Sequence, residues 1–181
     1  FESAAMIPPQ TRREALTEVR AQLDTVSGSI LNIRVGGNDL SHAFGLRRPA
    51  NRTIYDLRPV ADILIDIVAA FGTQYVVSGP VWEYYSGEGW EEGLRREMEL
   101  DLLNGFTGKT VIHPNQIPVV NEMLRVSQRD YADARAILNW DTGSGSLVSA
   151  SEDGGRMNEY NTHSRWARRI VLRAERYGVR A

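Results

Sequence analysis

The chain has 181 residues, 42% of them hydrophobic and 24% charged, with a formal net charge of −2. That is enough for one domain with a substantial core, and the near-neutral balance offers nothing to a nucleic acid or an anionic membrane surface. Cysteine is absent, which excludes disulfides, thiolate catalysis and zinc–thiolate sites and fits a reducing cytoplasm.

No apolar run approaches the ~20 residues of a membrane span. The first residues, FESAAMIPP, lack the basic region and long apolar segment of a signal peptide. They open as if in mid-element, so a preceding segment is expected. Residues 1–5 read as the tail of a strand with Glu2 at its end. Pro8-Pro9 breaks the chain, and Thr11 is placed to cap a helix reaching about residue 23. Leu16, Val19 and Leu23 share one face of that helix, with Arg12, Arg13, Glu14, Glu18 and Arg20 mostly outside it.

Ile30, Leu31, Ile33 and Val35 have the composition of a nearly fully buried parallel strand. It ends at Gly36-Gly37, with Asp39 close behind. Residues 41–55 form a loop rich in Arg, Asn and Pro, too long for a simple connector. A helix follows over residues 57–71, with Val60, Ile63, Leu64, Ile67 and Val68 as its buried stripe and Gly72 as its stop. Residues 74–78 read as a strand and 82–89 as an aromatic, glycine-rich loop. Residues 90–103 read as a helix stopped by Asn104-Gly105, and 109–112 as a strand closed by His113-Pro114. Helices are expected at about 114–126 and 129–139, the second capped by Ser127 with Asp130 in capping-box position. Residues 141–155 have the Gly/Ser composition of a flexible linker. A last helix spans 162–177, with Trp166, Ile170 and Leu172 or Arg173 near helical spacing.

Strands alternating with helices imply βαβ units and a parallel sheet. Three strands and a stub amount to about half of a (β/α)8 TIM barrel over residues 1–126, followed by a helical extension over 127–181. A doubly wound open sheet is the alternative, weakened because no G-x-G-x-x-G follows a strand.

Glu2 and Asp39 each fall just past an expected strand, so in a parallel barrel both reach the same catalytic face. Two such carboxylates can hold Mg²⁺ with water and substrate oxygens; equally, Asp39 can cap a turn and Glu2 be a solvated terminal residue. The N–H groups near Gly36-Gly37 can hold a carboxylate or a developing enolate oxygen, although a plain strand-end turn explains a lone Gly-Gly as well. His113 favours an architectural role at a strand-to-helix junction, and Lys109, at the start of its strand, is not expected to be catalytic. Glu159 and His163 lie four apart, but Tyr160-Asn161 argues that the helix starts after Glu159, against a zinc site. A carboxylate on a glycine-flanked tail can instead serve as an acid/base group brought to an active site.

Three segments carry a family resemblance: Phe1-Glu2-Ser3-Ala4, Gly36-Gly37-Asn38-Asp39-Leu40, and the run GFTGKTVIHPNQIPVVNE from Gly105 to Glu122. A tail piece, Gly155-Arg156-Met157-Asn158-Glu159, resembles a G-x-M-x-D motif. Together they resemble the C-terminal part of the HpcH/HpaI aldolase and citrate lyase β-subunit superfamily. GLRRPANRTIYD and MNEYNTHSRWA resemble its carbon–carbon lyase branch from tellurite-resistance and stress gene clusters.

The resemblance implies a TIM barrel, Mg²⁺ held by Glu2 and Asp39, and trimeric or hexameric homo-oligomers. It implies cleavage of a C–C bond beside a carbonyl in an oxo- or hydroxy-acid or its CoA thioester. In the acyl-CoA lyases of the family the tail's acid reaches a neighbouring subunit's site. On that template Glu159 replaces the usual Asp as acid/base, which lengthens the arm. Gly37 and Asn38 are the expected backbone oxyanion contacts. Arg47 and Arg48 are candidates for bidentate contacts to a substrate carboxylate or phosphate, with a solvated loop as the equal alternative. The reading from another class is a non-catalytic barrel fragment or assembly subunit, since an incomplete barrel exposes sheet edges open to pairing.

Overall fold

A computed structural model describes residues 2–140, 148–151 and 154–180. It divides into two compact units, Phe1–Met123 and Leu124–Ala181.

The first unit begins with a 3-10 turn at Ala4–Met6, where the sequence reads as a strand tail; Phe1 lies outside the described residues. Helix α1 (Pro9–Thr25) starts on Pro9, whose missing N–H costs nothing at that position. Thr11 therefore sits inside the helix, and its hydroxyl donates to the carbonyls of Ala5 (2.9 Å) and Pro8 (3.2 Å). Arg12, expected outside the apolar face, is buried and pairs with Asp66 at 2.9 Å.

Strand β1 (Ile33–Arg34) is followed by the short helix α2 (Gly37–Ala43), which occupies the start of the expected loop. Next come α3 (Arg58–Phe71), β2 (Val77–Gly79), α4 (Trp90–Leu103), β3 (Gly108–Lys109) and α5 (Gln116–Met123). The three strands form a parallel sheet in the order β1-β2-β3. Ile33 pairs with Val77 and Arg34 with Ser78; Ser78 then pairs with Gly108 and Gly79 with Lys109.

Strand β1 is shorter than its apolar run. Ile33 and Val35 are buried, but Leu31 is 90% exposed. Only the part of the run in register with β2 joins the sheet, so the expectation of burial at Leu31 fails. The core behind the sheet is built by α3. Val60, Ile63, Leu64, Ile67 and Phe71 are fully buried against Ile33, Val35 and Val77, each contributing roughly 1.5–3 kcal/mol of burial. Val68 is only partly buried.

The second unit contains β4 (Val126–Ser127), α6 (Gln128–Leu138), β5 (Val148–Ala150), β6 (Met157–Glu159), α7 (Tyr160–Tyr177) and β7 (Val179–Arg180). It is thus more than a helical extension. Strand β4 pairs with β7 in parallel, and β5 with β6 antiparallel. Ser127 caps α6, its hydroxyl accepting from the Asp130 N–H at 3.1 Å. The packing face of α7 is Ala167, Ile170 and Ala174, with Trp166 at its margin and Leu172 exposed. Residues 141–147 and 152–153 of the Gly/Ser-rich segment lie outside the described residues. No described helix is long and apolar enough to cross a membrane.

Candidate active site

The two predicted metal ligands come together at Gly36. A Cβ built on Gly36 would lie 2.1 Å from Glu2 Oε2 and 2.7 Å from Asp39 Oδ2. Gly36 precedes α2 and Asp39 sits in that helix's first turn. The missing side chain thus leaves a space that two carboxylates approach closely. This donor set suits a hard divalent cation such as Mg²⁺, which keeps several waters and takes only one or two carboxylates from the protein. Among the described residues no cluster of three or more His, Cys, Asp or Glu side chains offers an all-protein cage, which the open-shell pattern does not require.

Gly37 has a different task. A Cβ there would meet Pro80 at 2.6 Å and Ile54 at 2.7 Å, so this glycine lets the start of α2 pack onto the end of β2. The N–H groups of the first helical turn, Gly37 and Asn38 among them, have no intrahelical acceptor.

Beside α2 lies an open cleft of about 400 Å³, lined by Asn38, His42, Arg47, Arg48 and Glu83 among others. Arg47 reaches into solvent and pairs with Glu83 at 3.4 Å. Arg48 differs sharply: it is 2% exposed. It donates to the Val81 carbonyl, lies over the Trp82 ring at 5.1 Å, and places Nε 3.3 Å from Glu97 Oε2, an ion pair without hydrogen-bond alignment. Its guanidinium is committed to the core, and of the two arginines only Arg47 is open to a substrate anion.

Glu97, Asp101 and Lys109 form the rest of that buried network. The Lys109 ammonium bridges Glu97 Oε1 and Asp101 Oδ2, both at 2.8 Å. The Tyr55 hydroxyl donates to Asp101 Oδ1 at 2.6 Å. Burial and the neighbouring carboxylates push the Tyr55 phenol above its ordinary range, and burial also pushes the Asp101 carboxyl up against the opposing pull of Lys109. The sequence reading missed this cluster. Its signal was present: Leu94, Met98 and Asp101 recur at helical spacing, so an acid on the buried face of 90–103 needed a cationic partner.

His113 behaves as architecture. It stacks on Tyr85 (4.2 Å between ring centroids), and its Nδ1 accepts from the Asn115 N–H at 3.2 Å. The central residue of that motif is Gln116. Its amide donates to the carbonyls of Trp82 (2.7 Å) and Tyr84 (2.9 Å) and accepts from the Ile112 N–H (3.0 Å). It ties the loop after β2 to the end of the third βα unit, which is what the HPNQ run accomplishes.

Glu159 lies in the second unit, at the end of β6 and the start of α7. The Thr162 hydroxyl donates to its Oε2 at 3.3 Å, and its N–H donates to His163 Nδ1 at 3.0 Å. The imidazole Nδ1 thus faces the Glu159 backbone. Strand β6 is held from behind by Asp133, which accepts from Arg156 Nε (2.7 Å) and Asn158 Nδ2 (3.2 Å).

The first unit thus combines a parallel βα sheet with two carboxylates that meet at the turn between β1 and α2. The chain belongs to the C–C bond lyase family of the TIM-barrel fold, whose family model matches residues 1–179. It is 38% identical over 74 residues to the L-malyl-CoA/β-methylmalyl-CoA lyase of Cereibacter sphaeroides, a match covering 40% of this chain and 22% of that protein. It also resembles the crystal structure of CitE from Mycobacterium tuberculosis in complex with magnesium, acetoacetate and coenzyme A. The TM-score is 0.59 at 26% identity, covering 80% of this chain and 52% of that one. The chain therefore spans about half, or less, of these relatives, and the α/β architecture described is part of a barrel.

Proposed function

We propose that the protein acts as a Mg²⁺-dependent carbon–carbon lyase of the aldolase or Claisen type, on an oxo- or hydroxy-acid or its CoA thioester. The observation that carries this reading is the convergence of Glu2 and Asp39 on the side-chain-free space at Gly36. The magnesium, acetoacetate and coenzyme A in the CitE complex support the cofactor and substrate class. Bound Mg²⁺ would supply a Lewis acid for the oxygen that becomes anionic when a C–C bond beside a carbonyl breaks. Glu2 and Asp39 would hold that ion. The N–H groups of Gly37 and Asn38 donate to the same developing charge. Arg47 meets a carboxylate or phosphate of the substrate. Glu159, which on the family template serves a neighbouring subunit's site, is the acid/base group: it takes the proton of the hydroxyl that becomes the carbonyl of one product and returns a proton to the enolate carbon of the other. A cytoplasmic homo-oligomer, trimeric or hexameric, completes the reading, with small acids or acyl-CoA as its only partners.

Titration calorimetry with Mg²⁺ tests the site directly. Asp39→Asn should weaken Mg²⁺ binding by at least about tenfold, the lower end of what supporting groups alone contribute to metal affinity. Unchanged affinity removes Asp39 from the site. Glu159→Gln should leave the fold and Mg²⁺ binding intact and lower kcat on L-malyl-CoA by about 10²-fold or more; wild-type kcat would end its acid/base role. Intact Mg²⁺ binding with no turnover of any oxo-acid or acyl-CoA would favour a non-catalytic subunit.

A further inference from the structure

The geometry points to Glu97 as a positioning residue, a single buried carboxylate that sets the two loops lining the substrate cleft. Glu97 is fully buried in the middle of α4. Its two oxygens meet three residues in two parts of the unit. Oε2 accepts from the Ile54 N–H at 2.8 Å and pairs with Arg48, both in the segment between α2 and α3. Oε1 accepts from Lys109 on β3. Through Arg48 the contact extends to the loop after β2, where the guanidinium bonds the Val81 carbonyl and covers Trp82. That loop answers by donating the Tyr84 hydroxyl to the Arg48 carbonyl at 2.9 Å.

The cleft residues Arg47 and Glu83 are the immediate chain neighbours of these anchors. The Arg47 side chain is 79% exposed and, among the described residues, pairs with Glu83 across the cleft. Its position is therefore inherited from Arg48, and that of Glu83 from Trp82 and Tyr84. A buried charge network is a costly way to hold a fold, because apolar residues of similar volume usually do as well. What the network supplies is registration: one carboxylate fixes both loops at once, and small displacements of binding groups are expensive.

Two charge-balanced double variants separate positioning from stability. Glu97→Met/Lys109→Met removes the loop contacts. Asp101→Asn/Lys109→Met removes an equal number of charges from the same network but leaves Glu97 on Arg48 and Ile54, and its amide oxygen still accepts from Tyr55. Both should melt at lower temperature than the wild type. Only the first should speed amide exchange in residues 46–56 and 80–85, and only the first should raise KM for L-malyl-CoA by about tenfold with kcat within about threefold. Arg48→Lys, which keeps the charge and the fold, should shift exchange and KM in the same direction. Equal exchange and equal KM in the two double variants would overturn the proposal. The kinetic arm rests on the lyase reading; the exchange arm does not. Absence of wild-type turnover therefore removes that reading while the exchange comparison still decides the role of Glu97.

Discussion

Gly36 is the residue on which the carboxylate pair depends, and the reason is space. Its backbone, at φ −82° and ψ 71°, lies where an alanine is tolerated, so conformational freedom is not what the position requires. A methyl group there would strike Glu2 Oε2 and Asp39 Oδ2. Gly36→Ala should therefore reduce Mg²⁺ affinity by about tenfold or more, and because the methyl would also lie 2.8 Å from Glu2 Cβ, which no side-chain rotation moves, the chain at Glu2 must shift and the melting temperature should fall as well. Mg²⁺ binding unchanged by calorimetry would show that the pair does not close on this space. Asp56 gives a pH prediction at the same scale. The Thr53 N–H donates to its Oδ2 at 2.7 Å, within a capping box at the 3-10 turn Ile54–Asp56. That bond lowers the Asp56 carboxyl below its usual 3.8. A depressed acid stabilises the folded state above its unfolded pKa, and this contribution disappears as pH falls through the folded value. The side chain is 44% exposed, so solvent screening holds the effect below about 1 kcal/mol. Melts of Asp56→Asn and the wild type should differ at neutral pH and converge as pH falls below the ordinary 3.8 of the carboxyl; a constant difference would remove the ionised cap from the account. No described strand ends at Glu2; from sequence Glu2 and Asp39 could be expected on one face, but their close approach at Gly36 could not. It depends on the turn between β1 and α2, and an apolar pattern does not encode the angle of a turn.

The elements were legible in proportion to their periodicity. Helix α4 has the bounds that its 3.6-residue pattern and its Asn104-Gly105 stop imply. The α3 stripe is buried nearly as read. The strands were over-read because an apolar run records burial, whereas strand bounds record pairing, and pairing belongs to two segments at once. Helix α2 was hidden because its seven residues are too few to show a period. Strands β4 and β7 were hidden because two-residue pieces from distant parts of the tail leave no local signal. The loop after β2 owes part of its order to a side chain on another element, Gln116, which no composition rule announces. Gln116→Ala would leave the Trp82 and Tyr84 carbonyls and the Ile112 N–H without their partner. It should lower unfolding free energy by about 1–3 kcal/mol in a denaturant titration and speed amide exchange in residues 82–86. Full wild-type stability would mean that water replaces the amide without cost.

At the scale of the whole molecule, the slight net charge of −2 conceals a division. Residues 1–123 carry 11 basic and 16 acidic side chains, and residues 124–181 carry 10 basic and 7 acidic. That division coincides with the two compact units, each with its own apolar cluster. Separate cores allow separate local stabilities, so a lesion in one unit need not loosen the other. Asp133 offers the sharper test because its bonds stay within the second unit. It is buried, and it holds Arg156 and Asn158 and through them the strand that ends in Glu159. Arg156 retains Asp130 as a second partner at 2.9 Å, which limits the damage from losing Asp133. Asp133→Ala should therefore cost about 1–3 kcal/mol locally, read as faster amide exchange in residues 128–138 and 156–160 with exchange in 58–71 unchanged. Equal acceleration in α3 would show that the two units unfold as one.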